Sequence, residues 1–159
     1  MLSNQLVIDM KKIDLICIGN PAVDIVNSNG RTFINAGGPE MNTAVSFTQL
    51  GGTSGIIGII GKDKYGKFLL SELKKHQIDF SRLRINKKST HLVKITVTPK
   101  ERIIKMLNPH YNTKLSSADE KYIKDSHAVY VRLVVKNFLE CAKIATKLKK
   151  NFYIIFAVF

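Results

Sequence analysis

Residues 36–61 read AGGPEMNTAVSFTQLGGTSGIIGIIG, and the order of their local signals decides the fold class. Gly37 and Gly38 form a flexible pair directly before Pro39, a residue suited to the first turn of a helix because that turn leaves its N–H unused. Met41, Ala44, Val45, Phe47 and Leu50 then recur at helical spacing, and Gly51 suits the stop. The run 53–61 that follows is apolar at successive positions, the mark of a strand buried on both faces of a sheet. A helix feeding a two-sided buried strand predicts an α/β fold.

The neighbouring segments extend this pattern. Upstream, IDLICIG at 13–19 is another short, fully apolar strand, and the stretch 24–38 alternates around Asn29-Gly30, a dipeptide that favours a tight hairpin turn. Downstream, KYGKFLLSELKKHQ at 64–77 predicts an amphipathic helix with Phe68, Leu69, Leu70 and Leu73 on its apolar side. Strand, helix, strand, helix favours a parallel sheet with right-handed crossovers. The middle of the chain changes character: residues 90–107 read as two alternating strands around a Pro99-Lys100 turn, a second hairpin. A short helix at 117–124, a strand at 127–135, a helix at 136–149 and an apolar strand at 152–159 complete the series. A parallel strand needs cover on both faces, so a sequence that ends in one reads as unfinished. No internal repeat or linker interrupts it.

Composition bounds the function. A chain of 159 residues with 45% apolar content can bury one ordinary core, which excludes disorder and disulfide-stapled miniproteins. Cys17 and Cys141 lack metal-ligand spacing and read as buried thiols in a reducing compartment. The net charge of +13 raises nucleic-acid binding, but the lysines are scattered over nearly every segment without an aromatic-interleaved basic motif. The expectation is instead a solvated surface with some attraction for anionic small molecules, no nucleic-acid partner and no membrane. Residues 1–12 read as an N-terminal extension, and no apolar run reaches the length of a signal peptide or a span, so a cytoplasmic protein is expected.

For chemistry, the glycine pair allows a ligand to approach the main chain. Asn42 lies just inside the following helix, and Asp24 lies just beyond the first strand, where open α/β sheets hold their ligands. A carboxylate, an amide and two bare peptide units suit vicinal hydroxyls. His76, His91, His110 and His127 lack metal spacing, and no metal site is expected. Asp119 and Asp125 read as surface carboxylates of a helix.

The block from 36 to 79 resembles the N-terminal region of the PfkB/ribokinase family of carbohydrate and nucleoside kinases. The likeness rests on Gly37, Gly38, Asn42, Leu50, Gly51, Gly61, Asp63, Gly66 and the run 68–79. GNPAVD, ending at Asp24, and the stretch 89–115, with Asn112, extend it over most of residues 13–158. The resemblance implies a ribokinase-like three-layer fold, a mostly parallel sheet flanked by helices, with a small lid of hairpins near 23–36 and 90–108. It implies ATP-dependent phosphoryl transfer to a sugar hydroxymethyl, with Asp24, Gly37, Gly38 and Asn42 holding the sugar or nucleoside.

Departures from the pattern sharpen the expectation. Glu40 stands where the family usually has a small residue or proline, placing an acid near the pocket mouth. The lid segment 25–36 is short, Val134 replaces a ligand-binding acid of some sugar kinases, and Ala157-Val158 stand where Asp or Asn and Pro are common. No glycine follows Gly66, so the family's GAGD-type anion hole and catalytic Asp have no counterpart. The expectation is therefore an N-terminal portion covering about half of the family fold. No catalytic residue is assigned; ATP and Mg, proper to the full-length family, should not bind well, and the portion should be inactive alone. The alternatives are a polyol- or nucleoside-binding module, or one chain of a split kinase completed by a separate C-terminal half. A homodimer through the lid strands is a further possibility.

Overall fold

The computed structural model describes residues 12–108, 111–132 and 138–155. The expected extension lies almost wholly outside the described residues, as do His110, Val134, Ala157 and Val158. The main sheet contains β1 (Leu15–Ile18), β4 (Ser54–Gly61), β5 (Leu83–Asn86), β8 (Ala128–Arg132) and β9 (Asn151–Ile155), in the order β5-β4-β1-β8-β9. Every pairing in it is parallel.

Alternation along the strands sets the three layers, because successive side chains point to opposite faces. Leu15 and Cys17 of β1, with Ile56 and Tyr130, pack against Met41 and Ala44 of α1 (Pro39–Gln49) and Leu73 of α2 (Lys64–Lys75). Ile16 and Ile18, with Ile57, Val129 and Val131, pack on the other face. There they meet Ile123 of α3 (Ser117–Lys124) and Cys141 and Ala145 of α4 (Phe138–Lys147). The two-sided apolar strands thus have helices on both faces, as the sequence predicts, and both cysteines are buried free thiols.

A second sheet of four strands stands beyond the end of β1. The chain leaves β1 at Gly19 and enters β2 (Ala22–Ser28), which turns at Asn29 (φ 49°) and Gly30 (φ 71°) into β3 (Arg31–Gly37). The second hairpin is β6 (His91–Val97) and β7 (Arg102–Met106). The two hairpins are joined by parallel pairing of β2 with β6, Ala22 opposite His91, giving the order β3-β2-β6-β7. Sequence reading finds each hairpin but not their union, because partners far apart in sequence leave no local trace. It also misses β5: Ser81-Arg82-Leu83-Arg84 looks polar, and pairing with β4 makes it the edge strand.

One expectation fails outright. Asp119 is fully buried, not a surface carboxylate. It accepts hydrogen bonds from Arg82 Nε at 2.9 Å, Arg84 Nη2 at 2.6 Å and the Ser116 amide and hydroxyl at 2.8 and 2.7 Å. Burial pushes the Asp119 carboxyl up, but the Ser116 bonds and the two guanidinium groups hold it below the usual carboxylate range. Its two arginine partners lie more than thirty residues upstream, so helical pattern alone assigned it to water.

Candidate functional site

A cleft of about 760 Å³ opens between the two sheets, and Asn20, Asp24, Gly38, Asn42, His91 and Arg132 line it. One face of the small sheet forms its roof. Register explains which side chains reach it: Asp24 is opposite Val93, Val93 opposite Met106 and Ile95 opposite Ile104, so these residues share a face. Val93, Ile95, Ile104 and Met106 make the roof apolar between Asp24 and His91 near its base and Arg102 at its far end.

Of the sequence-derived candidates, Asp24, Gly38 and Asn42 line the cleft, and Gly37 does not. Gly37 stands behind Asp24, where a Cβ would lie 2.2 Å from the Asp24 Oδ2 atom. The first glycine therefore makes room for the carboxylate. Gly38 has φ +87°, in the region open chiefly to glycine, and its α-carbon faces the Ala22 amide so closely that a Cβ would lie 3.2 Å away. It turns the chain from β3 into α1, whose first turn presents Asn42. Burial pushes the half-buried Asp24 carboxyl up, while the Arg102 guanidinium draws it down. Asn112 is exposed and does not line the cleft.

Several residues that carry the geometry were not singled out from sequence. Asn20 Nδ2 donates to the Tyr111 carbonyl at 2.7 Å, and its Oδ1 accepts from the Ile59 amide at 2.9 Å and the Thr113 hydroxyl at 2.8 Å. This ties the end of β1 to β4 and to the loop after β7. Asn108 Oδ1 accepts from the Leu92 amide at 2.8 Å and lies 3.1 Å from His91 Nδ1, while its Nδ2 donates to the Thr90 carbonyl at 2.6 Å. The Tyr111 hydroxyl donates to the Ser89 carbonyl. Burial, helped by the nearby Arg132 charge, pushes the His91 imidazole below its ordinary range against the opposing effect of Asn108.

Glu40 is not at the pocket mouth. It is fully buried beneath the cleft, its Oε1 3.5 Å from Arg132 Nε, and its carboxylate occupies the space where a Cβ on Gly19 would sit at 2.4 Å. The small residue at position 19, not one at position 40, provides the room. Burial pushes the Glu40 carboxyl up and Arg132 opposes it. The Asp of the G-x-D element is likewise structural: Asp63 Oδ1 accepts from the Gly66 amide at 2.8 Å, capping α2, and from the Thr90 hydroxyl at 2.6 Å. Among the described residues no three His, Cys, Asp or Glu side chains converge to hold a metal ion.

The chain matches the pfkB family of carbohydrate kinases over residues 3–153 and belongs to that family. It is 30% identical over 136 residues to a 5-dehydro-2-deoxygluconokinase of Clostridium beijerinckii, covering 76% of this chain and 40% of the relative. The fold of Halothermothrix orenii fructokinase superposes with a TM-score of 0.80 at 18% identity, covering 89% of this chain and 56% of that one. An uncharacterized sugar kinase from Pyrococcus horikoshii, solved in complex with ATP, superposes with a TM-score of 0.77 at 18% identity, covering 91% and 53%. The chain thus spans about half the length of these kinases. Among the described residues, no helix is long and apolar enough to cross a membrane.

Proposed function

We propose that the cleft is the acceptor side of a sugar-kinase site, taking a sugar or nucleoside whose hydroxymethyl group is phosphorylated at the expense of ATP. The observation that carries this reading is the convergence of Asp24, Gly38 and Asn42 in one cleft beneath an apolar roof. Asp24 accepts from vicinal hydroxyls, Asn42 donates and accepts beside it, and Gly38 lets the ligand reach the main chain. Gly37 serves by seating Asp24. The small sheet acts as the lid, and its apolar inner face excludes water that would compete with the acceptor hydroxyl.

The donor does not fit the residues present. Phosphate groups are ordinarily cradled by glycine-rich turns at helix N-termini, and Gly38, at the start of α1, already faces the acceptor cleft. No glycine follows Gly66. ATP and Mg²⁺ should therefore bind poorly to this portion, no catalytic base is assigned, and the portion by itself is inactive. It works in the cytoplasm, where its two buried thiols stay reduced.

Ribose, fructose or adenosine should raise the melting temperature of the chain, and Asp24→Ala should abolish the shift. Incubation with ATP should yield no phosphorylated sugar until a glycine-rich segment carrying the GAGD-type motif is supplied, in the same chain or as a second polypeptide. Turnover by the isolated chain would overturn the assignment of inactivity. Absence of stabilisation by any polyol would overturn the acceptor site itself. Binding that persists with no turnover after such a segment is supplied would favour the binding-module reading.

A further inference from the structure

The roof of the cleft has a second face, and that face carries a charge pattern the fold does not explain. Asp24 and Val93 point into the cleft, so Ile25 and Lys94, the next residues along β2 and β6, point away from it. Register continues the same outer row across all four strands as Ile34, Ile25, Lys94 and Lys105. The row is apolar at β3 and cationic at β7. We infer that this outer face docks an acidic segment of a partner protein, which seats an apolar side chain beside β3 and lays its carboxylates on Lys94 and Lys105.

The lysines carry the first part of the argument. Lys94 and Lys105 are direct cross-strand neighbours, and like charges so placed repel. Both are exposed, and among the described residues no carboxylate stands within ion-pair distance of either. The acids of the two hairpins lie elsewhere: Asp24 is on the cleft face, and Glu101 is in the turn between β6 and β7. A lysine on an open edge guards against strand pairing, which accounts for Lys105 on β7. It does not account for Lys94, whose strand is paired on both sides. Carboxylates brought by a partner relieve the repulsion of the pair.

The apolar end carries the second part. Ile34 is 51% exposed, and Ile103, on the same outer face of β7, is 48% exposed. At the foot of β3 this face meets a second cavity, of about 450 Å³, whose apolar lining is Ile34, Ala36, Met41, Val45 and Phe68. The carboxylate in its lining, Glu72, is already met by Lys75 at 3.5 Å and by His76 Nε2 at 3.8 Å, so the side chain it favours is uncharged. Interfaces bury an anchor side chain in such a cavity and arrange charge around it. Ile34 and Lys105 stand at opposite edges of the sheet, roughly 14 Å apart at the usual strand spacing. An extended segment crosses that span in about four residues. The apolar half also separates a protein from other polyanions, because isoleucines offer a nucleic acid no stacking platform. Neither lysine lines the acceptor cleft, so the inference is independent of how that cleft is read.

The test pans a phage-displayed library of random short peptides against the whole chain and measures synthetic copies of the selected sequences by calorimetry. Selected sequences should combine a large apolar residue with acids within about five positions of it. Their affinity should fall about tenfold in the double variant Lys94→Glu with Lys105→Glu, and in the same direction when both lysines become Gln. Ile34→Asp should also cost about tenfold, and added salt should weaken binding to the parent. Any stabilisation of the chain by ribose should be unchanged in the lysine variants. All three positions are exposed, and circular dichroism checks that the variants fold. Selection of neutral or basic peptides, or of none, overturns the inference, as does equal binding to the parent and to the double Glu variant. A dimer in sedimentation velocity that the Glu variant loses assigns the face to a second copy and overturns it. Displacement of the peptide by oligothymidylate, with no loss in Ile34→Asp, assigns the face to nucleic acid and overturns it too.

Discussion

At the scale of single residues, the GG pair resolves into two different physical tasks. Gly38 supplies a backbone conformation and a close approach, whereas Gly37 supplies volume for its neighbour's carboxylate. Gly37→Ala should therefore damage Asp24 without altering the turn. A methyl group 2.2 Å from Oδ2 must displace the carboxylate, and overpacking of this kind costs roughly 1–3 kcal/mol. The expected outcome is a lower melting temperature together with loss of polyol stabilisation, while Gly30→Ala, at an open turn with nothing within 4 Å, should spare ligand binding. Differential scanning fluorimetry with and without ligand reads both. The sequence shows the pair but cannot show which glycine faces the ligand, since β3 must first pair with β2 to set Gly37 opposite Ala22.

At the scale of elements, the unions that shape the site are polar and long-range. Asp119 caps α3 reciprocally with Ser116 and binds Arg82 and Arg84, so one buried carboxylate locks α3 to β5 and the segment before it. Asp119→Ala removes a cap and leaves two guanidiniums without their acid. Breaking such a buried pair costs about 3 kcal/mol even with the arginines partly exposed. Urea unfolding should show that loss at neutral pH and a smaller one in acid. The sign follows from linkage: a carboxyl held below its ordinary value contributes stability that is fully present above that ordinary value and is lost as pH falls from there through the depressed folded value. A loss unchanged down to pH 3 would count against the ion pairs. Helix α3 itself is legible from its spacing and from Ser116, a suitable cap, but the burial of Asp119 depends on arginines far upstream.

At the scale of the whole molecule, the small sheet has open edges at β3 and β7 and exposes Phe33 and Ile34, each about half accessible. Unpaired edges with exposed apolar residues favour strand pairing between copies, and lysines there oppose it. We expect the chain to dimerise through this sheet and Phe33→Lys with Ile34→Lys to return it to a monomer in sedimentation velocity. A parent that stays monomeric at high micromolar concentration would remove this association. Sequence by itself determined the helices, the buried strands and both hairpin turns, because periodicity, glycine and proline act over a few residues. It also determined the family, through a glycine, asparagine and aspartate spacing that the fold needs locally. Only tertiary structure decided that β2 pairs with β6, that β5 is a strand, that Asp119 and Glu40 are buried, and that Arg102, Asn108 and Arg132 face Asp24 across one cleft. Those outcomes depend on partners far apart in sequence, whose meeting is fixed by packing and desolvation of the assembled sheets rather than by any local preference.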